Sequence, residues 1–223
     1  MHTTTYYRKY GKRQLDFVVA LLALLVLLPF LLVLGIVIRL AQGGPVIFSQ
    51  VRPGYLGQPF RMFKFRTMTD ARDESGQLLP DADRLTKIGG FLRRTSLDEL
   101  PELINVVRGE MSLIGPRPLL MEYLERYTPD QARRHEVRPG ITGLAQISGR
   151  QEIPFSRRLE LDVEYVMALS FRFDLEILAK TILRVFHSRG VVLGQEVSEV
   201  DDLGLSRDLQ SIAARSEEKQ RDH

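Results

Sequence analysis

The chain has 223 residues, 44% hydrophobic and 26% charged, a normal balance for one folded domain with an appendage. It contains no cysteine, which excludes disulfide frameworks, thiolate metal sites and cysteine nucleophiles. Its four scattered histidines show no metal-ligand spacing, which argues against a zinc site. The net charge of +3 suits anionic lipids and phosphorylated substrates as well as nucleic acid.

An apolar block without a single charge runs from Phe17 to Ile38. As a straight helix it would be about 33 Å long, enough to cross a bilayer. Pro29, near its middle, removes a backbone hydrogen bond, and basic residues flank both ends, so both ends favour the cytoplasmic side. These features predict a re-entrant helix hairpin broken at Pro29, with a kinked spanning helix as an equal alternative.

The residues after the block predict a small α+β domain of mixed helices and strands. Residues 70–83 predict a mobile acidic loop, and 138–150 a glycine-spaced polar loop. The remaining predicted elements are strands at 45–50, 60–66 and 111–114, a helix at 97–107, a charged helix interrupted by Pro129 at 121–135, and amphipathic helices at 155–170 and 173–186.

Three regions of the chain follow from these elements. Residues 1–42 form a basic segment and the membrane helix, 43–194 a catalytic domain, and 195–223 a polar tail that we predict to be disordered. The amphipathic helices of the domain suit either its core or a membrane surface, and the apolar block makes the interfacial position attractive.

The chemistry centres on Arg93 to Pro101, where Asp98 and Glu99 follow two arginines at the start of a predicted helix. Arginines and free backbone N–H groups hold phosphate oxygens, and adjacent carboxylates take a divalent cation. The competing interpretation is structural, because Ser96 and Glu99 match the Ser-x-x-Glu capping box. Pro101 disfavours Ser96 as the cap, since the proline would then lie beyond the first turn.

Further basic residues that could bind phosphate lie in other segments of the chain. Lys64 and Arg66 share one face of the second strand, where a solvated sheet edge is the bland alternative. Prolines on both sides fix the backbone around Arg117, as a preorganised anion contact requires. Arg150 ends the glycine-spaced loop, which lets the backbone approach a ligand closely.

Together these segments resemble the bacterial sugar transferase family, the monotopic phosphoglycosyl transferases that begin polysaccharide and glycoconjugate assembly on a polyprenol carrier. The resemblance covers most of 17–186, in the family's order, and rests on Lys64 to Met68, Arg93 to Pro101, Met111 to Pro118 and Arg138 to Arg150. The chain departs from the family at Leu28, where members often have serine, and at Leu144, where tryptophan is frequent.

The resemblance implies transfer of a sugar phosphate from a UDP-sugar to undecaprenyl phosphate, with release of UMP, at the cytoplasmic face of a bacterial inner membrane. Such a step begins the assembly of exopolysaccharide, O-antigen, capsule or protein-linked glycans. It implies that Asp98 forms an aspartyl phosphosugar and that Asp98 and Glu99 hold Mg²⁺, with Mn²⁺ as a substitute. The implied substrate-binding residues are Lys64, Arg66, Arg93, Arg117 and Arg150.

Membrane lipids are expected partners, downstream glycosyltransferases are candidates, and nucleic acid is not expected. Two other classes of protein stay open. A membrane-anchored hydrolase of nucleotide-diphosphate sugars would use the same carboxylates and arginines with water as the acceptor. A non-catalytic basic adaptor would bind anionic lipid or nucleic acid without metal dependence and with a steep salt dependence.

Overall fold

The computed structural model describes residues 6–149, 153–187 and 201–204. The mixed α+β class is confirmed. The helices are α1 (Lys12–Gln42), α2 (Asp81–Arg84), α3 (Lys87–Thr95), α4 (Glu102–Arg108), α5 (Pro129–Ala132), α6 (Leu144–Ser148), α7 (Phe155–Ala168) and α8 (Phe171–His187). The strands are β1 (Ile47–Pro53), β2 (Pro59–Phe65), β3 (Ser112–Ile114) and β4 (Gly140–Thr142).

Helix α1 contains the apolar block and runs through Pro29 as one α-helix. The helical hydrogen bonding therefore continues past the proline, because the loss of one N–H donor leaves the other hydrogen bonds of the helix in place. In the described part of the chain, this is the one helix long and apolar enough to cross a membrane by length and composition. The re-entrant path itself stays a prediction.

One face of α1 packs against the globular domain along most of the helix. Near its start, Ala20 is fully buried in a cluster with residues of β2 and α4, and near its end Ile38 is fully buried with Phe65 and Leu92. Between these points the contacting leucines recur at helical spacing, at Leu24, Leu27, Leu31 and Leu34. The opposite, apolar face of α1 is exposed.

Two small sheets organise the domain. Strands β1 and β2 pair antiparallel, from Ile47 opposite Phe65 to Pro53 opposite Pro59, which confirms the two predicted strands. Strand β3, also predicted, pairs parallel with β4. Strand β4 lies in a segment predicted as loop, because three residues that include a glycine give no measurable alternation.

The predicted helix at 97–107 is divided in the structure. A 3₁₀ turn covers Leu97–Glu99, and α4 begins only after Pro101, whose fixed φ and missing N–H suit a helix start. Pro129 likewise limits the helix predicted at 121–135 to the single turn of α5 between 3₁₀ segments, with Thr128 and Gln131 forming a capping box. The predicted amphipathic helices are confirmed as α7 and α8.

Two features near the site were not predicted. Helix α3 begins where Gly89 N donates to Thr86 Oγ1 at 2.8 Å. Residues 201–204 of the polar tail lie against the start of α7, where Ser156 N donates to Asp202 Oδ1 at 3.0 Å.

Candidate active site

Asp98 and Glu99 lie in the 3₁₀ turn that joins α3 to α4. Ser96 closes α3 in a left-handed conformation, with φ of 57°, and its side chain makes no cap hydrogen bond, so the structure does not contain the alternative capping box. Leu97 and Leu100, on either side of the two acids, pack against the apolar cluster that contains Ile38 of α1. The two carboxylates are therefore held beside the apolar helix.

Glu99 is the carboxylate that the neighbouring cations hold. Its Oε1 accepts from Lys64 Nζ at 2.8 Å and from Arg117 Nη2 at 2.7 Å. Burial favours the protonated acid, but the combined charges and hydrogen bonds of Arg117 and Lys64 outweigh it and hold the pKa of Glu99 well below its usual range. Glu99 is thus ionised throughout the physiological range of pH.

Asp98 has different surroundings from Glu99. The residue is 8% exposed, and its carboxylate has no hydrogen-bond or ion-pair partner among the described residues. Burial, followed by the charge of Glu99, raises the pKa of Asp98 to about 6, against the opposing charges of Lys64, Arg117 and Arg93. A buried carboxylate without a partner, surrounded by cations, suits a nucleophile or a metal ligand.

Glu102, the first residue of α4, is a third acid of the site that sequence reasoning missed. It is 2% exposed, and its Oε1 lies 3.1 Å from Lys64 Nζ. Burial raises the pKa of Glu102 to about 7, an effect that Lys64 opposes and Glu99 reinforces. Its position four residues after Asp98, within the helix predicted at 97–107, was the available signal.

Arg52 of β1 is a further cation that was not predicted. Burial and then the charge of Arg117 lower its pKa, while Glu122 and Glu102 oppose this effect. The side chain of Arg52 therefore belongs to the electrostatic surroundings of Arg117 and Glu102, although it is far away in the sequence.

The fold places Lys64 and Arg93 through buried polar contacts. The fully buried side chain of Asn105 in α4 accepts from Phe63 N at 3.1 Å and donates to Arg61 O at 2.8 Å, which fixes β2, and so Lys64, against α4. Arg93 Nε donates to Thr67 Oγ1 at 3.1 Å. These contacts bring Lys64 and Arg93 to the turn that carries Asp98 and Glu99.

One predicted site residue, Arg66, is not brought to this turn. Arg66 donates from Nε to Met68 O at 2.8 Å and from Nη2 to Asp70 Oδ2 at 2.6 Å, so its guanidinium is engaged at the start of the acidic loop. Arg150 lies outside the described residues.

The acids of the turn can be compared with what Mg²⁺ requires. The described residues contain no group of three or more acidic or histidine side chains that could hold a metal ion. Mg²⁺ commonly binds through only one or two carboxylates and completes its shell with water and substrate phosphates. Asp98 has no partner among the described residues, and both cations on Glu99 bind Oε1, which leaves Oε2 available. The pair therefore fits a substrate-bridging Mg²⁺, which stays a prediction.

Comparison with known proteins identifies the family. The family model described as bacterial sugar transferase matches residues 7–188. An uncharacterized sugar transferase EpsL of Bacillus subtilis (strain 168) is 54% identical, over 81% of this chain and 89% of its own length. The exopolysaccharide production protein ExoY of Sinorhizobium fredii is 41% identical, over 81% of this chain and 87% of its own length.

A third relative, the UDP-glucose:undecaprenyl-phosphate glucose-1-phosphate transferase of Escherichia coli (strain K12), is 42% identical over 78% of this chain, which spans 40% of that protein. These matches confirm the resemblance seen in the sequence and remove the non-catalytic adaptor. The chain belongs to the bacterial sugar transferase family and is an enzyme of that family.

Proposed function

We propose that this enzyme transfers a sugar 1-phosphate from a UDP-sugar to undecaprenyl phosphate and releases UMP. The observation that carries the proposal is the buried Asp98, without a partner in the described chain, beside a Glu99 that Lys64 and Arg117 hold. The relative named UDP-glucose:undecaprenyl-phosphate glucose-1-phosphate transferase supports both substrates, and the relative named for exopolysaccharide production supports the pathway class.

The reaction follows from Asp98 acting as a nucleophile. A carboxylate oxygen of Asp98 attacks the phosphorus bonded to the sugar, and the bond from that phosphorus to the bridging oxygen breaks, so UMP leaves with the electron pair. The product is an aspartyl phosphosugar. A phosphate oxygen of undecaprenyl phosphate then attacks the same phosphorus, the bond to Asp98 breaks, and the carboxylate is regenerated.

The cations of the site bind and orient the diphosphate. The Arg117 side chain is 45% exposed while that of Glu99 is 16% exposed, so the guanidinium that binds Glu99 also presents N–H donors to the surface. Arg93 binds Thr67 through Nε, which leaves its terminal N–H groups for phosphate oxygens. Glu99 and Asp98 would hold Mg²⁺, which when bound shields the charge of the diphosphate.

Helix α1 would serve this reaction as a re-entrant anchor on the cytoplasmic face of the inner membrane. At its start, Arg13 Nη1 donates to Val106 O at 2.6 Å, and at its end Gln42 Nε2 donates to Arg66 O at 3.3 Å. A helix that crossed about 30 Å of hydrocarbon would carry these ends to opposite sides, whereas both bind the same domain. The geometry thus favours the re-entrant path, with the site beside α1 at headgroup depth.

Topology can be tested by labelling. Cysteines introduced at positions 2 and 215 should both be protected from a membrane-impermeant reagent added to the outside of intact cells. Labelling of one position from outside and the other only after lysis would contradict the re-entrant path.

The reaction is tested with purified enzyme, a panel of UDP-sugars, Mg²⁺ and undecaprenyl phosphate, following UMP. Without lipid, we expect a burst of UMP equal to the enzyme concentration, and with lipid we expect ping-pong kinetics. Intact-protein mass spectrometry should show a phosphosugar adduct on the wild type and none on Asp98→Asn. Excess chelator should stop turnover, and Mg²⁺ or Mn²⁺ should restore it.

Other outcomes of this experiment would change the assignment. Steady UMP release that needs no lipid would identify the hydrolase instead. Sequential kinetics without an adduct would leave Asp98 as a metal ligand only. Full turnover in chelator would remove the metal from the proposal.

A further inference from the structure

We propose that Arg134 and Asp162 form a positioning pair for Arg117, holding its main-chain carbonyl so that its guanidinium stays on Glu99. Arg117 is part of the proposed phosphate-binding machinery, and the kinetic part of this inference rests on the proposed function. Neither residue of the pair contacts the acids of the turn, so both act through Arg117.

The loop around Arg117 needs an outside support. Pro116 and Pro118 lack N–H groups, so the loop cannot fix itself with ordinary backbone hydrogen bonds. On the strand side, Gly140 N donates to Pro116 O at 2.9 Å. At Arg117 itself, the carbonyl accepts from Arg134 Nη2 at 2.6 Å. The support at the functional residue is therefore a side chain.

That side chain is itself held rigidly. Arg134 donates to Asp162 Oδ2 from Nε at 3.0 Å and from Nη2 at 2.7 Å, and the two side chains are only 1% and 4% exposed. Asp162 lies on α7, whose neighbouring Leu159, Tyr165 and Val166 are buried in the core. The packing of α7 thus fixes Asp162, which fixes Arg134, which in turn fixes the carbonyl of Arg117.

Stability alone does not explain this arrangement. Buried ion pairs can often be replaced by packed apolar residues with little loss of stability, because desolvation offsets the attraction. Asp162 Oδ1 is moreover buried without a hydrogen bond. What the pair provides is direction, because a planar guanidinium serves two acceptors at fixed angles and a lysine ammonium does not.

The support matters because Arg117 is otherwise free to move. Its side chain is 45% exposed, and it reaches Glu99 through one contact, from Nη2 at 2.7 Å. Long exposed side chains have about 2 kcal/mol of rotamer entropy, and a displacement of about 1 Å in a reacting geometry costs roughly 100-fold in rate. Fixing the backbone under Arg117 limits that displacement.

The kinetic test replaces the pair without leaving an unpaired charge. We expect Arg134→Met with Asp162→Leu to lower kcat/KM for UMP release at least tenfold, with a melting temperature close to that of the wild type. Arg134→Lys, which keeps the charge, guards against misfolding of the double variant and should show a similar loss. The matched control is Arg133→Met, which removes an adjacent, more exposed arginine (37% side-chain exposure) and should stay within twofold of the wild type.

A double-mutant cycle separates positioning from general damage to the fold. In the background of Arg117→Ala, the Arg134→Met and Asp162→Leu replacements should change kcat/KM less than twofold, because the residue through which they act is already gone. Losses that multiply in the combined variant would overturn the inference, as would a paired variant that is as active as the wild type.

A spectroscopic readout does not depend on turnover. The guanidinium N–H signal of Arg117, assigned by its loss in Arg117→Lys, should shift or broaden in Arg134→Lys but not in Arg133→Met. An unchanged signal in Arg134→Lys would overturn the inference even if the enzyme makes UMP. The expected shift in a protein that makes no UMP from any UDP-sugar would refute the proposed function and leave the positioning pair standing.

Discussion

Two buried polar clusters of this enzyme treat their carboxylates in opposite ways. The first, which we name the anchor cluster, joins the start of α1 to the domain and consists of Tyr7, Lys12, Asp16, Ser112, Tyr165 and Asp174. The second is the candidate site around Asp98 and Glu99. Both lie against α1, and both bury charge in a largely apolar setting.

The difference is in how completely the acids are satisfied. Asp174 accepts from Lys12 Nζ at 2.6 Å, from Tyr7 Oη at 2.7 Å and from Tyr165 Oη at 2.7 Å. Asp98 accepts from none of the described residues. A buried polar network is rigid when all of its groups have hydrogen-bond partners. A buried acid without such a partner has a raised pKa, and its carboxylate is available to a ligand. The comparison thus distinguishes a carboxylate that holds the fold together from one that is available for a reaction.

The largest expected effect comes from removing the charge at Asp98. Asp98→Asn should reduce formation of the phosphosugar adduct by more than about 1000-fold, because an amide is a far weaker nucleophile. The same variant should unfold less readily at pH 7. The shift of the pKa from 3.8 to about 6 means that ionised Asp98 destabilises the fold by on the order of 3 kcal/mol.

Adduct formation and denaturant unfolding in matched detergent measure the two effects. An inactive variant that is also less stable than the wild type would mean that Asp98 is held by contacts, as Asp174 is, and would erase the difference between the clusters.

The anchor cluster should give the opposite result. Asp174→Ala leaves the buried Lys12 with only its longer contact to Asp16, at 3.8 Å, which should reduce the free energy of unfolding by roughly 3 kcal/mol. Replacing both partners, by Lys12→Met with Asp174→Leu, should recover part of that loss, since the charge that remains, on Asp16, still accepts a hydrogen bond from Ser112 Oγ at 2.7 Å. Denaturant melts of the wild type and the two variants measure this. Equal destabilisation by the single and the paired replacement would show that hydrogen bonds, and not the buried charge, decide the effect.

Within the candidate site, Glu99 should be of intermediate importance. Glu99→Gln removes the charge that holds Lys64 and Arg117 and should slow the UMP burst roughly 100-fold. Arg117→Lys should slow it by about tenfold, because a lysine ammonium does not reproduce a planar guanidinium that binds Glu99 through Nη2 and keeps its other N–H donors for phosphate oxygens. Rapid-quench measurement of the burst, with circular dichroism to confirm folding, compares the two. A larger loss in Arg117→Lys than in Glu99→Gln would reverse the assigned order.

Sequence patterns predicted those elements of the structure that depend on the residue types within one continuous segment. Charge-free length identified α1, alternation identified β1 and β2, and the repeated apolar spacing identified α7 and α8. Cations and acids of the site were found through local chemistry: adjacent acids, and an arginine between prolines. Lys64, Asp98, Glu99 and Arg117 do meet at one turn.

What the sequence did not yield depends on contacts between distant segments. The side chain of Asn105 ties β2 to α4, and Arg134 supports a carbonyl 17 residues away, neither of which has a local signature. The capping box that Pro101 disfavoured is absent, but no local pattern indicated the left-handed conformation that Ser96 adopts. Pro29 suggested a break, but the packing of α1 along the domain accompanies a continuous helix.

The smallest expected effect is the pH dependence of the UMP burst, which reports the ionisation of Asp98 directly. Asp98 attacks only when ionised, and burial with the charge of Glu99 raises its pKa to about 6. The burst rate should therefore be level above about pH 7 and fall tenfold per unit below about pH 6. Lipid is left out, because a phosphate monoester itself titrates near pH 6.

The sign of each neighbour's influence makes this profile a test of the geometry. Glu99→Gln removes a negative charge beside Asp98, so Lys64, Arg117 and Arg93 favour the ionised form of Asp98 without opposition from Glu99. The fall of the burst rate at acid pH, which we call the acid limb, should therefore move to lower pH. Glu102, whose pKa is raised to about 7, is the other group that could produce a limb, and Glu102→Gln should leave the limb in place. If the acid limb disappears in Glu102→Gln, the group that titrates is Glu102 and not Asp98. A limb that moves upward in Glu99→Gln would mean that Glu99 serves Asp98 chiefly by holding Lys64 and Arg117 near it, and that without this acid the cations leave the turn.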